Sequence, residues 1–218
     1  MRTGPRFEIR PRTDSNNDYG VAYEIFVHDY YRHRGAADPR SVRLVVDIGA
    51  NVGLSVLHFL HQYPNCRVIA FEPHPAHAAQ VVRNLELDGT RSRVDLHANA
   101  AGAAARTMRL TDARSSSSLT DAVSPGTIPV AVVDVFPLLA GKRIDVLKMD
   151  MEGGEYEVMA DARFATLDVG AIMMEWHARP GGADDRRWCE DRLRDCGFTV
   201  GEIFTEPAHG MLWATKLR

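Results

Sequence analysis

Residues 44–53, LVVDIGANVG, constrain this chain more than any other stretch. Leu44-Val45-Val46-Asp47-Ile48 is short, rich in β-branched residues and nearly all apolar, the pattern of a parallel strand buried on both faces. It stops at Gly49, and Leu54, Leu57 and Leu60 follow at helical spacing. A buried strand that turns at once into a helix belongs to a doubly wound sheet, and such sheets bind ligands outside the carboxyl ends of their strands. Gly49 and Gly53 permit a tight turn and a close approach of the backbone to a ligand. The spacing is G-x-x-x-G, which is not the G-x-G-x-x-G of a pyrophosphate-binding turn. With no Lys following, it is not a phosphate loop either. Asp47, at the strand end, suits a ligand that carries an ammonium group.

The alternation continues. Arg67 to Glu72 reads as a second strand, and Pro75 as the first residue of a helix that carries Ala79, Val82 and Leu85 and ends near Gly89. Arg93 to His97 is a third strand. Residues 105–111 and 128–134 read as extra strands around a polar surface loop that holds Ser115 to Ser118. Ile144 to Met149 is a further buried strand, followed by Gly153-Gly154 and a helix with Val158 and Met159. Ala171 to Trp176 is the next strand, and a helix covers 184–196. Phe198 to Phe204 and Met211 to Thr215 are joined through Pro207–Gly210, too short a link for a crossover helix, so they form an antiparallel pair at one edge. The expected fold is α/β: a Rossmann-like, doubly wound sheet, mostly parallel, with an antiparallel edge hairpin.

Length and composition limit the rest. The 218 residues suit one main domain, taken as residues 41–218, with residues 1–40 as an N-terminal extension or lid. Within that extension, Tyr23 to Val27 reads as a short strand or helix turn, and Gly35 to Pro39 as a linker. The 26 Lys and Arg against 29 Asp and Glu leave no excess of positive charge, so nucleic acid is not an expected partner. No apolar run approaches the roughly 18 residues that span a membrane. The basic N-terminus lacks the apolar core of a signal peptide. Cys66, Cys189 and Cys196 match no disulfide framework or zinc pattern, and the last two, seven residues apart, are expected in the core. The chain therefore reads as cytoplasmic.

Several polar residues fall at strand ends. Glu72, 25 residues after Asp47, is placed to accept both hydroxyls of a ribose. With the phosphate-free glycine turn, it indicates a nucleoside ligand without phosphates, which points to S-adenosylmethionine. Asn99, after the third strand, is placed to read an adenine edge. Lys148, Asp150, Glu152 and Glu155 crowd the end of the strand before Gly153, where Glu155 also suits a helix N-terminus. His177, leaving the fifth main strand, is a candidate general base. Asp150, Glu175 and His177 can instead converge on a divalent metal such as Mg2+. His74 and His77 share a helix face.

Read together, DIGANVG, AFEPHP, RVDLHANAAG, SSSSL, IDVLKMDMEGGEYEVM and IMMEWH resemble the FkbM-type methyltransferases over about residues 42–205. The resemblance implies a class I methyltransferase fold. It implies S-adenosylmethionine held by Asp47, Gly49, Asn51, Gly53 and Glu72, with Lys148, Asp150, Glu152 and Glu155 near the reacting centre. It implies methyl transfer to a hydroxyl of a small molecule such as a secondary metabolite or sugar. His177 or Asp150 is expected to take the hydroxyl proton, with Lys148 beside them and a divalent ion as a further expectation. Met149 and Met151 stand where the family usually has Ile and Val. The short N-terminus leaves little material for a substrate lid, so a second subunit, giving a homodimer, is expected to complete the pocket. An N-methyltransferase of the same fold, or a non-catalytic partner protein that kept it, remains open.

Overall fold

A computed structural model of the chain describes residues 4–9, 17–32, 38–111, 119–120, 125–179, 181–182 and 184–216. The expected loop at Ser115 to Ser118 and most of the Gly35 to Pro39 linker lie outside them.

The LVVDI run is strand β1 (Leu44–Ile48), and α2 (Leu54–Gln62) follows α1 (Asn17–Phe26) in chain order. Then come β2 (Arg67–Phe71), α3 (Pro75–Asp88), β3 (Val94–His97) and β4 (Ala100–Gly102). Strands β5 (Arg106–Thr111), β6 (Leu119–Thr120) and β7 (Thr127–Asp134) lead to α4 (Val135–Leu139) and β8 (Arg143–Met149). The chain ends with α5 (Glu155–Ala160), β9 (Asp168–His177), α6 (Asp185–Asp195), β10 (Thr199–Thr205) and β11 (His209–Thr215).

The main sheet has seven strands in the order β10-β11-β9-β8-β1-β2-β3. Five of them, β9 to β3, run parallel, while β11 is antiparallel to β9 and β10 to β11. The order reverses between β1 and β8, so the carboxyl ends of these two strands frame the crevice where a ligand is expected. The expected sheet is present, with the last strand inserted between β9 and the edge strand β10.

Side chains leave successive strand positions on opposite faces, and both faces are buried. Val46, Ile48, Leu147 and Met149 belong to one core with Ile172 and Met174. Val45, Val146 and Met173 belong to the other, with Leu57 and Phe59 of α2. Each fully buried side chain of this size contributes about 1.5–3 kcal/mol relative to exposure. Cys189 and Cys196 are buried and unbridged, as expected.

The structure sharpens two expectations and corrects one, the buried face of α3. The strands near 105–111 and 128–134 exist, but with β4 and β6 they form a separate four-stranded sheet, β4-β7-β5-β6. On α3 the buried face carries Ala78, Val81 and Leu85, whereas Ala79 is exposed and Val82 only partly covered. The row is one residue off because polar Gln80 and Asn84 are also buried there, which an apolar count overlooks. Tyr23 to Val27 is largely the last turn of helix α1, which packs on α2 through Ile25. Among the described residues no helix is long and apolar enough to cross a membrane.

Candidate active site

The turn after β1 is shaped by three residues with positive φ: Gly49 at 89°, Asn51 at 49° and Gly53 at 88°. Gly49 is required by space as well as by conformation. A Cβ there would lie 1.8 Å from the carbonyl oxygen of Asp150, so the backbones of the β1 and β8 turns are in direct contact. The amides of Gly49 and Ala50 both donate to the Phe71 carbonyl at 3.0 Å, which ties the turn to the end of β2.

Asp47 and Lys148 are register partners across the β1–β8 ladder and share one face. Both are buried. The Lys148 ammonium lies 3.3 Å from Asp47 Oδ1, 3.3 Å from Asp150 Oδ2 and 2.5 Å from the Gly49 carbonyl oxygen. Asp47 also accepts the Ser55 hydroxyl at 2.6 Å. The ammonium that Asp47 was expected to meet in a ligand is thus supplied by the chain itself. An ammonium has three protons, and all three here have oxygen neighbours. The carboxylates of Asp47 and Asp150 hold Lys148 well above the ordinary lysine range, against the opposing pull of burial. Lys148, expected among the catalytic groups, is held by its own chain.

Glu72 sits one residue past β2 and is buried. Its two oxygens accept the amides of Asn51 at 2.7 Å and His74 at 2.8 Å. Oε1 also lies 3.5 Å from His77 Nδ1, while Oε2 retains a lone pair for a further donor.

Two cavities open on this rim. The smaller is walled by Phe71, Ala100, Ala101, Leu110, Leu119 and Met151, with Glu72, Asp150 and Glu152 as its acidic groups. Among the described residues no Lys or Arg lines it. Asn99 does not line it either; its neighbours Ala100 and Ala101 do. Of the two helix histidines, His77 reaches this cleft, and its ring stacks on that of His74 at 4.2 Å. Leu110 and Leu119 come from the second sheet, and no local signal in the sequence places them here.

The larger cavity lies between α1 and the sheet. Tyr30, Tyr31 and Phe204 form aromatic walls, and Glu24, Glu175 and Glu206 add carboxyl groups. The two cavities share Gly49, Asn51, Asp150 and Glu152.

His177 lines neither cavity. It stands behind the carboxylates, with Nδ1 3.2 Å from Glu155 Oε1, and with Nε2 3.5 Å from Glu152 Oε2 and 3.8 Å from Glu175 Oε1. Burial alone would lower its pKa, but the hydrogen bond to Glu155 and the charges of Glu155, Asp150 and Glu175 outweigh that and raise it to about 9. Glu155 is fully buried at the start of α5 and also accepts the amides of Gly153 at 2.9 Å and His177 at 3.0 Å. It anchors β9 to the β8 turn. Burial, reinforced by the charge of Asp150, raises Glu175 to about 8 and Glu152 to about 7. His209, register partner of His177 on β11, lies 3.4 Å from Glu175 and was not expected in the site. Asp150, Glu175 and His177 each bring one ligand atom within 4.8 Å of the others, so the expected trio does come together. Two carboxylates and an imidazole form a donor set suited to a divalent cation.

Known proteins resemble this chain in sequence and in fold. The chain is 28% identical to the methyltransferase sdnD of Sordaria araneosa, covering 81% of this chain and 80% of that one. The crystal structure of a methyltransferase FkbM from Methylobacillus flagellatus superposes with a TM-score of 0.57 at 16% identity, over 88% of this chain. This chain spans about half of that one, 47%. Cofactor-bound Rv0187 from MTB gives a TM-score of 0.54 at 17% identity, over 93% of this chain and 91% of that one. At these identities the likeness to the solved structures is one of fold, the class I methyltransferase fold. Sequence carries it further: residues 47–200 match the methyltransferase FkbM domain, and the chain belongs to that family.

Proposed function

We propose that the chain is an S-adenosylmethionine-dependent O-methyltransferase that acts on a hydroxyl of a small molecule. The observation that carries this reading is the pair of cavities meeting at Gly49, Asn51, Asp150 and Glu152. The smaller cleft suits a cationic nucleoside: an apolar slot for a base, a carboxylate for a ribose, acidic groups for positive charge and, among the described residues, no Lys or Arg for phosphate. Gly49, Asn51, Gly53 and Glu72 would hold the cofactor, which when bound supplies a methyl group on a positively charged sulfur. Asp47 would act through Lys148 rather than by contact.

The larger cavity is the place for the acceptor. Asp150 and Glu152, on the shared rim, are positioned to take a proton from an acceptor lying between the cavities. The aromatic walls exclude water and help hold the acceptor in line, where effective molarity gives most of the rate. A divalent cation on Asp150, Glu175 and His177, which would have to displace the proton that His177 otherwise holds, would polarise the hydroxyl oxygen. One observation favours a second reading, N-methylation. Among the described residues five carboxyl groups line the larger cavity, those of Glu24, Asp150, Glu152, Glu175 and Glu206, while Lys148, which also lines it, is committed to its own chain. Such a lining offers an amine several acceptors, and it repels an anion more strongly as Glu152 and Glu175 ionise above about pH 7 and 8.

Calorimetry with S-adenosylhomocysteine and, separately, NAD tests the assignment. Binding of the first and not the second is expected; binding of neither would mean a protein that kept the fold without the chemistry. Activity that survives exhaustive chelation would remove the cation and leave base catalysis by the carboxylates.

A further inference from the structure

The cofactor turn is held from outside the residues that shape it. Asn51, a non-glycine at φ 49°, occupies a conformation that costs about 1 kcal/mol or more and persists only where the surroundings over-determine it. Glu72 fixes one side by accepting the Asn51 amide at 2.7 Å. On the other side Asn84, fully buried in α3, donates its Nδ2 to the Val52 carbonyl oxygen at 2.8 Å.

An asparagine amide can face either way, and its partners decide which. Asn84 Oδ1 accepts the Glu8 backbone amide at 2.9 Å and Gln80 Nε2 at 3.2 Å. With its oxygen taken there, its NH2 group is directed at Val52. Glu8 belongs to the N-terminal segment 4–9, which runs along α3. The Arg6 amide donates to Asp88 at 2.9 Å, and Gln80 donates to the Glu8 carbonyl at 3.1 Å. Gln80, Asn84 and Asp88 are four residues apart and form one row on the helix. Phe7, in the same segment, stacks on Phe26 of α1 at 5.2 Å, and α1 walls the larger cavity.

We propose that Asn84 is a positioning residue for the cofactor turn, and that residues 4–9, outside the matched domain at 47–200, serve cofactor binding by orienting it. This rests on the assignment of S-adenosylmethionine to the smaller cleft.

Calorimetry with S-adenosylhomocysteine on the full chain and three variants tests it. Asn84→Asp keeps the acceptor for Glu8 but sets a carboxylate oxygen against the Val52 carbonyl. Glu8→Pro removes one backbone donor from an exposed residue and keeps the test open where the buried change fails to fold. Arg93→Ala is the stability control. Its guanidinium bonds the carbonyls of Leu60, Tyr63 and Cys66 and none in the turn. Asn84→Asp and Glu8→Pro should each weaken binding about tenfold, the effect of one net hydrogen bond. Arg93→Ala should lower the melting temperature and leave affinity within about twofold. Wild-type affinity in Asn84→Asp or in Glu8→Pro overturns the proposal, as does an equal loss in Arg93→Ala. Failure of the unmodified protein to bind S-adenosylhomocysteine overturns the cofactor assignment itself, and this inference with it.

Discussion

Lys148 and Asp47 face each other across the parallel ladder between β1 and β8, ammonium and carboxylate 3.3 Å apart and both sealed from water. The pair joins two strand ends at the point where the sheet changes direction. Removing one member of a buried pair leaves the other charge uncompensated, at a cost of about 3–5 kcal/mol. Lys148→Met should therefore lower stability in urea by about that amount, and Lys148→Met with Asp47→Asn should recover most of it. A Lys148→Met protein of wild-type stability that has lost only turnover would return Lys148 to a chemical role.

Glu72 uses its two oxygens to hold the Asn51 and His74 amides, so it shapes the turn and faces the cleft at once. Glu72→Gln keeps the volume but sets an NH2 group against one of those amide donors. The variant should bind S-adenosylhomocysteine at least about tenfold more weakly, because a buried donor is left unsatisfied and a charged acceptor is lost. Unchanged affinity by calorimetry would take Glu72 out of the ribose position.

The sequence shows β1 and its turn clearly, because a buried parallel strand is an unbroken apolar run and Gly49 and Gly53 mark the turn itself. It shows the ends of β8 and β9 for the same reason, as charges that directly follow apolar runs at Lys148 and Glu175. It does not show who pairs with whom. Asp47 looks like a ligand group until the register sets Lys148 opposite it. His177 reads as a base in the sequence, which does not show that β9 sets its ring beside Glu152 and Glu175. Leu110 and Leu119 reach the cleft only because a second sheet folds over it, and that depends on the pairing of β5 with β6 and β7. Asn84 reads as a polar helix residue; only the tertiary structure brings Val52 and Glu8 to it.

Acidic crowding at the rim predicts how stability depends on pH. His177 is raised to about 9 in the folded chain, and Glu175 and Glu152 to about 8 and 7, so the folded state holds protons that the unfolded state releases at lower pH. For His177 the contribution is complete below about pH 6.5 and is lost as pH rises through its folded value. The two glutamates act in the same direction from about pH 4.5 upward. The urea midpoint should therefore fall between pH 5 and 9, and fall less in Glu175→Gln. A flat midpoint across that range would mean that these groups keep ordinary affinities for protons.

Asp150 and His177 should fail in different ways when replaced. Asp150 lines both cavities, so it is placed to touch both cofactor and acceptor. Asp150→Ala should lower turnover, read as S-adenosylhomocysteine release at saturating acceptor, by about tenfold to a hundredfold at every pH. His177 lines neither cavity, and its positive charge lowers the pKa values of Glu152 and Glu175. Without it both carboxyl groups hold their protons to higher pH, so His177→Ala should shift the rising limb of the kcat/KM profile upward. Its activity should be restored toward pH 9, not abolished. The same pH-independent loss in both variants would show that His177 works at the reacting atoms; full activity in Asp150→Ala would show that the proton leaves by another route.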